Sequence, residues 1–241
     1  MKTFPNDVFV RVCHVKTGYE DRERHILKEL GSRGIPVNWF LDYDVSDIQE
    51  KIREEFSETT LSAPQISCSL KHIGVWQEFL TSGLPYCLVL EDDVFLTPDF
   101  VDKLKQGIAE LGNPNRKVAI YLGNAGNYYL PIWRISKRQK LYPAPHSRAT
   151  DSYLITRPTA EARCDWFSKN KMTTTIGHQL DRTDPLLGVE VLWFERPIVE
   201  QGTHNGAFPT SIPGQNKWRP LWYKRLEWNW KKARRRIFGH I

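Results

Sequence analysis

The chain alternates between short apolar runs and longer segments in which apolar residues recur every three or four positions. Residues 7–13, DVFVRVC, are rich in β-branched and aromatic side chains and predict a buried strand. Residues 18–34 predict a helix with Ile26, Leu27 and Leu30 facing inward, stopped at Gly31 or Gly34. A second strand is expected over 36–41 and a further helix over 46–56. Residues 62–83 predict a helix that opens with Ser62 and Gln65 at capping-box spacing, with Ile66, Leu70, Ile73 and Leu80 on one face and Gly83 at its end. The run PYCLVLED (85–92), bounded by proline and acids, reads as a central strand, and a helix restarts over 97–111 with Pro98 in its first turn. Strands are expected over 117–124, 151–156 and 189–195, and a helix over 157–170. Residues 125–150, with Pro131, Pro143 and Pro145, read as a long loop or short hairpin. This order predicts an α/β sheet with helices on both faces.

Composition changes that picture at one end only. The 241 residues carry a net charge of +6, but the last 25 hold nine Lys/Arg against the single acid Glu227. The positive charge therefore belongs to a tail, and no nucleic acid is expected as a partner. Residues 1–212 are expected to form the folded domain and 213–241 a basic, tryptophan-rich segment. In a helical tail Trp218, Trp222, Leu226, Trp230, Ala233 and Ile237 fall on one stripe, the pattern of a helix lying on an anionic membrane surface. Docking on the core and binding to RNA are the other readings. The N-terminus lacks the apolar region of a signal peptide, and no run approaches the length of a membrane span. Cys13, Cys68, Cys87 and Cys164 form no CxxC pair, so spacing predicts neither a disulfide framework nor a zinc site, and reduced thiols fit a cytoplasmic protein.

The chemistry concentrates in CLVLEDDVFL (87–96), where Glu91, Asp92 and Asp93 close an apolar strand. Ligands of open α/β sheets bind outside the carboxyl ends of strands, and carboxylates there suit a hard divalent cation bridging phosphates. Alone, the triplet also reads as an acidic helix-entry turn. Its surroundings add information: QISCSLKHIGVWQEFLTSGLPYCLVLEDDVFLTPDF (65–100) resembles glycosyltransferase family 25, the lipopolysaccharide-biosynthesis and collagen-galactosyltransferase group. The resemblance rests on a helix of the form E-I-G-C-x-x-S-H-x-x-x-W, a short L-P link and L-V-L-E-D-D. Weaker similarity covers HVKTGYEDRERHI (14–26), TDSYLITRPTAEA (150–162), HQLDRTDPL (178–186) and PIVEQGTHNGAFPTSI (197–212). Gln65, Ser67 and Lys71 depart from the pattern, standing where the family has Glu, Gly and Ser.

The resemblance implies a GT-A fold with a Rossmann-like nucleotide half, a UDP-hexose donor (usually UDP-galactose), inversion at the anomeric carbon, and a saccharide acceptor of lipopolysaccharide or another glycoconjugate. It implies Mn²⁺ or Mg²⁺ held by Asp93, with Asp92 assisting and His204 in the glycine-flanked loop GTHNG as a further ligand. Arg11, Lys16, Arg22, Arg24, His72, Glu91, Asp92 and Asn124 are candidates for donor contact. Tyr128, Tyr129 and Trp133 are candidates for stacking on sugar rings. Inversion needs a general base; Asp181 matches the family's aspartate, with Asp151 and Asp184 behind it and Glu190 less favoured. A peripheral enzyme on the cytoplasmic face of the inner membrane is the matching location. Two other functions use the same residues: an inactive GT-A module that binds saccharide or partner, and a metal-dependent phosphoryl or nucleotidyl transferase. The lack of a GxxxxGK[ST] loop counts against the latter.

Overall fold

The computed structural model describes residues 3–48, 61–124, 128–209 and 221–238. In chain order the elements are β1 (Val8–Cys13), α1 (Glu20–Gly31), β2 (Trp39–Phe40), α2 (Ala63–Thr81), β3 (Tyr86–Glu91), β4 (Val94–Leu96), α3 (Phe100–Leu111) and β5 (Val118–Tyr121). A 3-10 turn (Ile132–Arg134) precedes β6 (Leu141–Pro143), β7 (Ser152–Thr156), α4 (Arg157–Lys169), α5 (Ile176–Leu187), β8 (Glu190–Phe194), β9 (Val199–Gln201), α6 (Gly202–Asn205) and α7 (Leu221–Phe238). Seven strands form one sheet in the order β2-β1-β3-β7-β5-β8-β6, and β4 pairs with β9 in a separate ribbon. Strands β2, β1 and β3 are mutually parallel, β5 is parallel to β8, and β7 runs antiparallel between β3 and β5.

Alternation along the strands divides the core in two. Val8, Val10, Val12, Leu88, Leu90, Ile120 and Leu154 point to one face, where Ile26 and Leu30 of α1 and Phe100 and Leu104 of α3 cover them. Cys87, Val89, Ala119, Tyr121, Tyr153 and Ile155 point to the other, against α2, α4 and α5. Both faces of this mixed sheet are thus dry, which is why β3 and β7 read as continuous apolar runs. The mixed α/β sheet flanked by helices matches the expected architecture.

Several local expectations change. Leu27 is exposed because α1 buries only the stripe of Ile26 and Leu30. Helix α2 is buried almost all round rather than on one face, since it lies between the sheet and α4 and α5. Its start behaves as a capped end: Gln65 Oε1 accepts from Ser62 N at 2.9 Å and from Ser62 Oγ at 3.0 Å. Helix α3 begins after Pro98, not around it. Helix α5 was not among the expected elements; Pro185 lies inside it and removes one backbone donor, and the helix is held by packing of Ile176 and Leu180 into the core. Strands β4 and β9 are three residues each and owe their pairing to each other. From residue 49 onward the helix expected over 46–56 lies outside the described residues, as does Trp218.

Helix α7 docks through one face and exposes another. Trp228, Lys232 and Arg236, spaced four apart, meet the His204 ring, Glu200 and the Tyr129 ring respectively. Trp222, Leu226, Trp230 and Ile237 are exposed on a different stripe. No helix among the described residues is long and apolar enough to cross a membrane.

Candidate active site

Parallel strands β1 and β3 end side by side, with Cys13 registered against Glu91. Their carboxyl ends open into a cavity of ≈ 380 Å³. Its walls come from the segment after β1 (His14, Tyr19, Arg22), the loop at Asp44, the inner side of α2 (Ser67, Cys68, Lys71), the end of β3 (Glu91, Asp92) and the β9–α6 junction (Gln201, Thr203, His204).

Charge in this cavity is paired. Asp92 Oδ1 accepts from Arg22 Nη1 at 2.8 Å and its Oδ2 lies 2.8 Å from His14 Nδ1. Arg22 also donates through Nη2 to Pro209 O at 2.7 Å. Burial pulls the Arg22 guanidinium down, but Asp92 and Asp93 hold it above its ordinary range. Lys71 is buried and donates to Asp44 Oδ1 and Asp42 O, both at 2.7 Å. Glu91 accepts from Gln201 Nε2 at 2.9 Å and leaves its other oxygen 3.7 Å from His72 Nε2. Arg22, His14 and Lys71 thus surround one cavity with donors suited to an anion such as a diphosphate.

Asp93, next along the chain, faces away from the cavity. Its Oδ2 accepts from Thr203 N at 2.9 Å and from Thr203 Oγ1, while its backbone carbonyl accepts from Gly202 N at 2.7 Å. A Cβ on Gly202 would stand 2.7 Å from that carbonyl, so the approach requires glycine. Asp93 is therefore the clasp that fixes the Thr203–His204 turn against the end of β3. Burial, then the charge of Glu91, push its carboxyl up to about 6. Asp151 lies beside it, joined to the strand end by a 2.8 Å bond from Glu91 N to Asp151 O. Burial and Glu91 push the Asp151 carboxyl well up. A Cβ on Gly123 would collide with the Asp151 carboxylate, so that glycine makes its room.

The remaining expected residues scatter. Arg11 donates to Glu78 Oε2 at 2.8 Å and stacks on Phe9, away from the cavity. Lys16 pairs with Asp47 at 3.0 Å and Arg24 with Asp21, both at the surface. Asn124 is buried and donates to Tyr129 Oη. Tyr128 stacks on Trp193, and Trp133 is exposed. Asp181 accepts from Ser147 N at 2.7 Å, Asp184 is locked to Arg163, and Glu190 pairs with Arg116. None of these lines the cavity.

The set expected to hold a divalent cation does not converge. Asp92 and Asp93 commit oxygens to Arg22, His14 and Thr203, and among the described residues the side chains whose ligand atoms lie within 4.8 Å of one another are Cys68, His72 and Glu91. The ligand atoms of Asp92, Asp93 and His204 are not brought within 4.8 Å of one another, although Asp93 Oδ1 is buried with no hydrogen-bond partner among the described residues. His14, Lys71, Asp44 and Gln201 were missed from the sequence. His14 was legible in principle, as the first residue after a parallel strand; Lys71 was noted only as a departure, and its ion pair with Asp44 accounts for it.

Residues 17–169 match the family described as Glycosyltransferase family 25 (LPS biosynthesis protein). The lacto-N-neotetraose biosynthesis glycosyltransferases LgtE and LgtB of Neisseria gonorrhoeae are 34% identical over 84 residues and 35% over 81. Each alignment covers 32% of this chain and 29% of the relative, so the chain matches under a third of the length of these curated relatives. A solved glycosyltransferase involved in glycosylation of the major capsid of PBCV-1 superposes over 92% of this chain and 98% of its own, with a TM-score of 0.47 and 11% identity, too low to carry an argument. The family match spans the end of β3, the helix bearing Lys71 and the Glu91–Asp92–Asp93 turn, and on that match the chain belongs to glycosyltransferase family 25.

Proposed function

We propose that the protein transfers a hexose, UDP-galactose being the first donor to test, to a saccharide acceptor of lipopolysaccharide or a similar glycoconjugate, with inversion. The observation that carries this is the cavity at the ends of β1 and β3, where Arg22, His14 and Lys71 converge. Charge builds on the diphosphate as the glycosidic bond to the donor breaks, and fixed donors stabilise that charge without reorganising. Arg22 supports the leaving group, while Asp92 orients both Arg22 and His14. The proton acceptor is sought among Asp181, Asp151 and Asp184, as the resemblance implies; none of the three lines this cavity, and Asp151 is the one whose neighbour Glu91 does. The implied Mn²⁺ or Mg²⁺ takes no step here.

Thermal shift against a panel of UDP-, GDP- and CMP-sugars, followed by turnover of the stabilising donor, tests the reading. Stabilisation by a UDP-hexose and release of UDP in the presence of a saccharide acceptor are expected. Binding without turnover would favour an inactive saccharide-binding module instead, and stabilisation by no nucleotide sugar would sink the proposal.

We also propose that α7 lies on the anionic cytoplasmic face of the inner membrane through Trp222, Leu226, Trp230 and Ile237, with Lys232 and Arg236 anchoring the helix to the domain. Co-sedimentation with anionic vesicles should fall severalfold in a Leu226→Glu, Trp230→Glu double variant. Equal binding to zwitterionic vesicles, or no change in the variant, would count against this placement.

A further inference from the structure

We propose that Cys68, His72 and Glu91 bind a borderline-soft divalent cation, of the Zn²⁺ type, on the inner wall of the cavity. Cys68 and His72 lie four residues apart on α2 and so project from the same side of the helix. Glu91 closes β3, against which that side packs. The three ligand atoms all lie within 4.8 Å of one another. His72 Nε2 stands 3.7 Å from Glu91 Oε1, close to the ligand–ligand edge of a tetrahedron built on bonds of about 2.0–2.3 Å.

The second observation is His72 itself. It is fully buried, and its Nε2 has no hydrogen-bond partner among the described residues. Buried polar atoms are rarely left so without a ligand, ion or water. The opposite nitrogen is fixed: Nδ1 is 2.9 Å from Tyr153 Oη, which also accepts from Trp76 Nε1 at 2.9 Å. In the tautomer that donates Nδ1–H to Tyr153, the Nε2 lone pair faces Glu91, the outer-shell arrangement of a ligating histidine. Glu91 is steadied in the same way, since Gln201 holds Oε2 and leaves Oε1 for the cation.

Cys68 supplies the softness. Burial, then the charge of Glu91, push its thiol well up, and a bound cation takes the thiolate and releases the proton to solvent. Thiolate and imidazole select Zn²⁺ or Co²⁺ over Mg²⁺. Cys68 and Glu91 line the cavity while His72 stands behind them, so three protein ligands leave a fourth position open toward the cavity, as in zinc sites that take a water or substrate oxygen. The site differs from the Asp92, Asp93 and His204 set, and it stands whether or not the protein transfers a sugar.

The test uses the full chain, stripped with chelator and titrated with Co²⁺. One equivalent should bind with a thiolate-to-cobalt charge-transfer band in the near ultraviolet and tetrahedral visible bands, both removed by stoichiometric Zn²⁺. Cys68→Ser should lose the charge-transfer band and bind Co²⁺ at least tenfold more weakly, Glu91→Gln should also lose at least tenfold, and Cys164→Ser should change neither. As a readout that needs no variant, Zn²⁺ should slow alkylation of Cys68 in the unmodified chain more than tenfold, with Mg²⁺ without effect. No Co²⁺ binding, binding without a thiolate band, a band that survives Cys68→Ser, or equal Cys68 labelling with and without Zn²⁺ would overturn the site.

Discussion

The Arg163–Asp184 and Arg22–Asp92 pairs are both buried and close, yet they are built for different ends. Arg163 meets Asp184 through two bonds, of 3.0 and 2.6 Å, beneath the rings of Trp76 and Tyr153, with neither side chain reaching solvent. Arg22 meets Asp92 through one bond, shares itself with Pro209 O, and keeps 12% of its side chain exposed at a cavity wall. The first pair is shut away from solvent: two bonds from Arg163 hold the carboxylate, and Arg163 Nη1 is left buried without a hydrogen-bond partner among the described residues. The second is open: the carboxylate is shared between Arg22 and His14, and Arg22 faces a cavity that a ligand can enter. Burial of an ion pair thus does not by itself mark a site; a face open to a cavity does.

Breaking the closed pair should have the largest effect. Asp184→Ala leaves a buried guanidinium unpaired and should cost about 3–5 kcal/mol of stability by chemical denaturation. A cost under about 1 kcal/mol would mean that the pair is not as closed as its geometry.

Asp93 tests the intermediate case, a buried carboxylate whose own bonds run to Thr203 rather than to a cation. Its folded carboxyl sits near 6, above the unfolded value of about 3.9. The folded state therefore binds the extra proton, and the stability this contributes is complete below about pH 4 and lost as pH rises through 6. Asp93→Asn keeps an acceptor for Thr203 and removes the titration. Its stability relative to the parent should rise by about 2–3 kcal/mol between pH 4 and pH 7. A difference that stays flat across that range, in melting curves at several pH values, would remove the assignment.

For the open pair, Arg22→Ala should weaken UDP-sugar binding about 10- to 100-fold, as expected for losing one charge-assisted bond, with a smaller loss of stability than Asp184→Ala. Calorimetry and denaturation on the same samples separate the two; a stability loss as large as that of Asp184→Ala would erase the contrast. Smallest is the cap of α2, the helix that carries Lys71 to the open site and Trp76 to the closed one. Gln65→Ala should cost about 1 kcal/mol, and a larger loss would show that both sites depend on how this helix starts.

Much of the fold was legible because its signals are local. The β-branched run of β1, the apolar run of β3 and the Ser62–Gln65 cap each specify their own segment, and the observed elements stay within the expected ranges. The acidic turn at Glu91–Asp93 was correctly placed at a strand's carboxyl end. Elements held by partners were not legible: β4 and β9 exist through each other, and α5 carries an internal Pro185 and is held by the packing of Ile176 and Leu180. The same limit applied to roles within the site. Asp92 and Asp93 are neighbours of identical chemistry, and only Thr203, 110 residues later, turns one of them away from the cavity.

The sequence by itself thus determined most of the strands and helices, though not β4, β9 or α5, where the acids gather, and the family to which the chain belongs, since periodicity and motif are properties of contiguous residues. Only the tertiary structure decided that Arg22, His14 and Lys71 face one cavity, that Asp184 is closed off by Arg163, and that Cys68 and His72 meet Glu91. Those choices depend on pairings between side chains far apart in the chain, and hydrogen bonds and charges act through space.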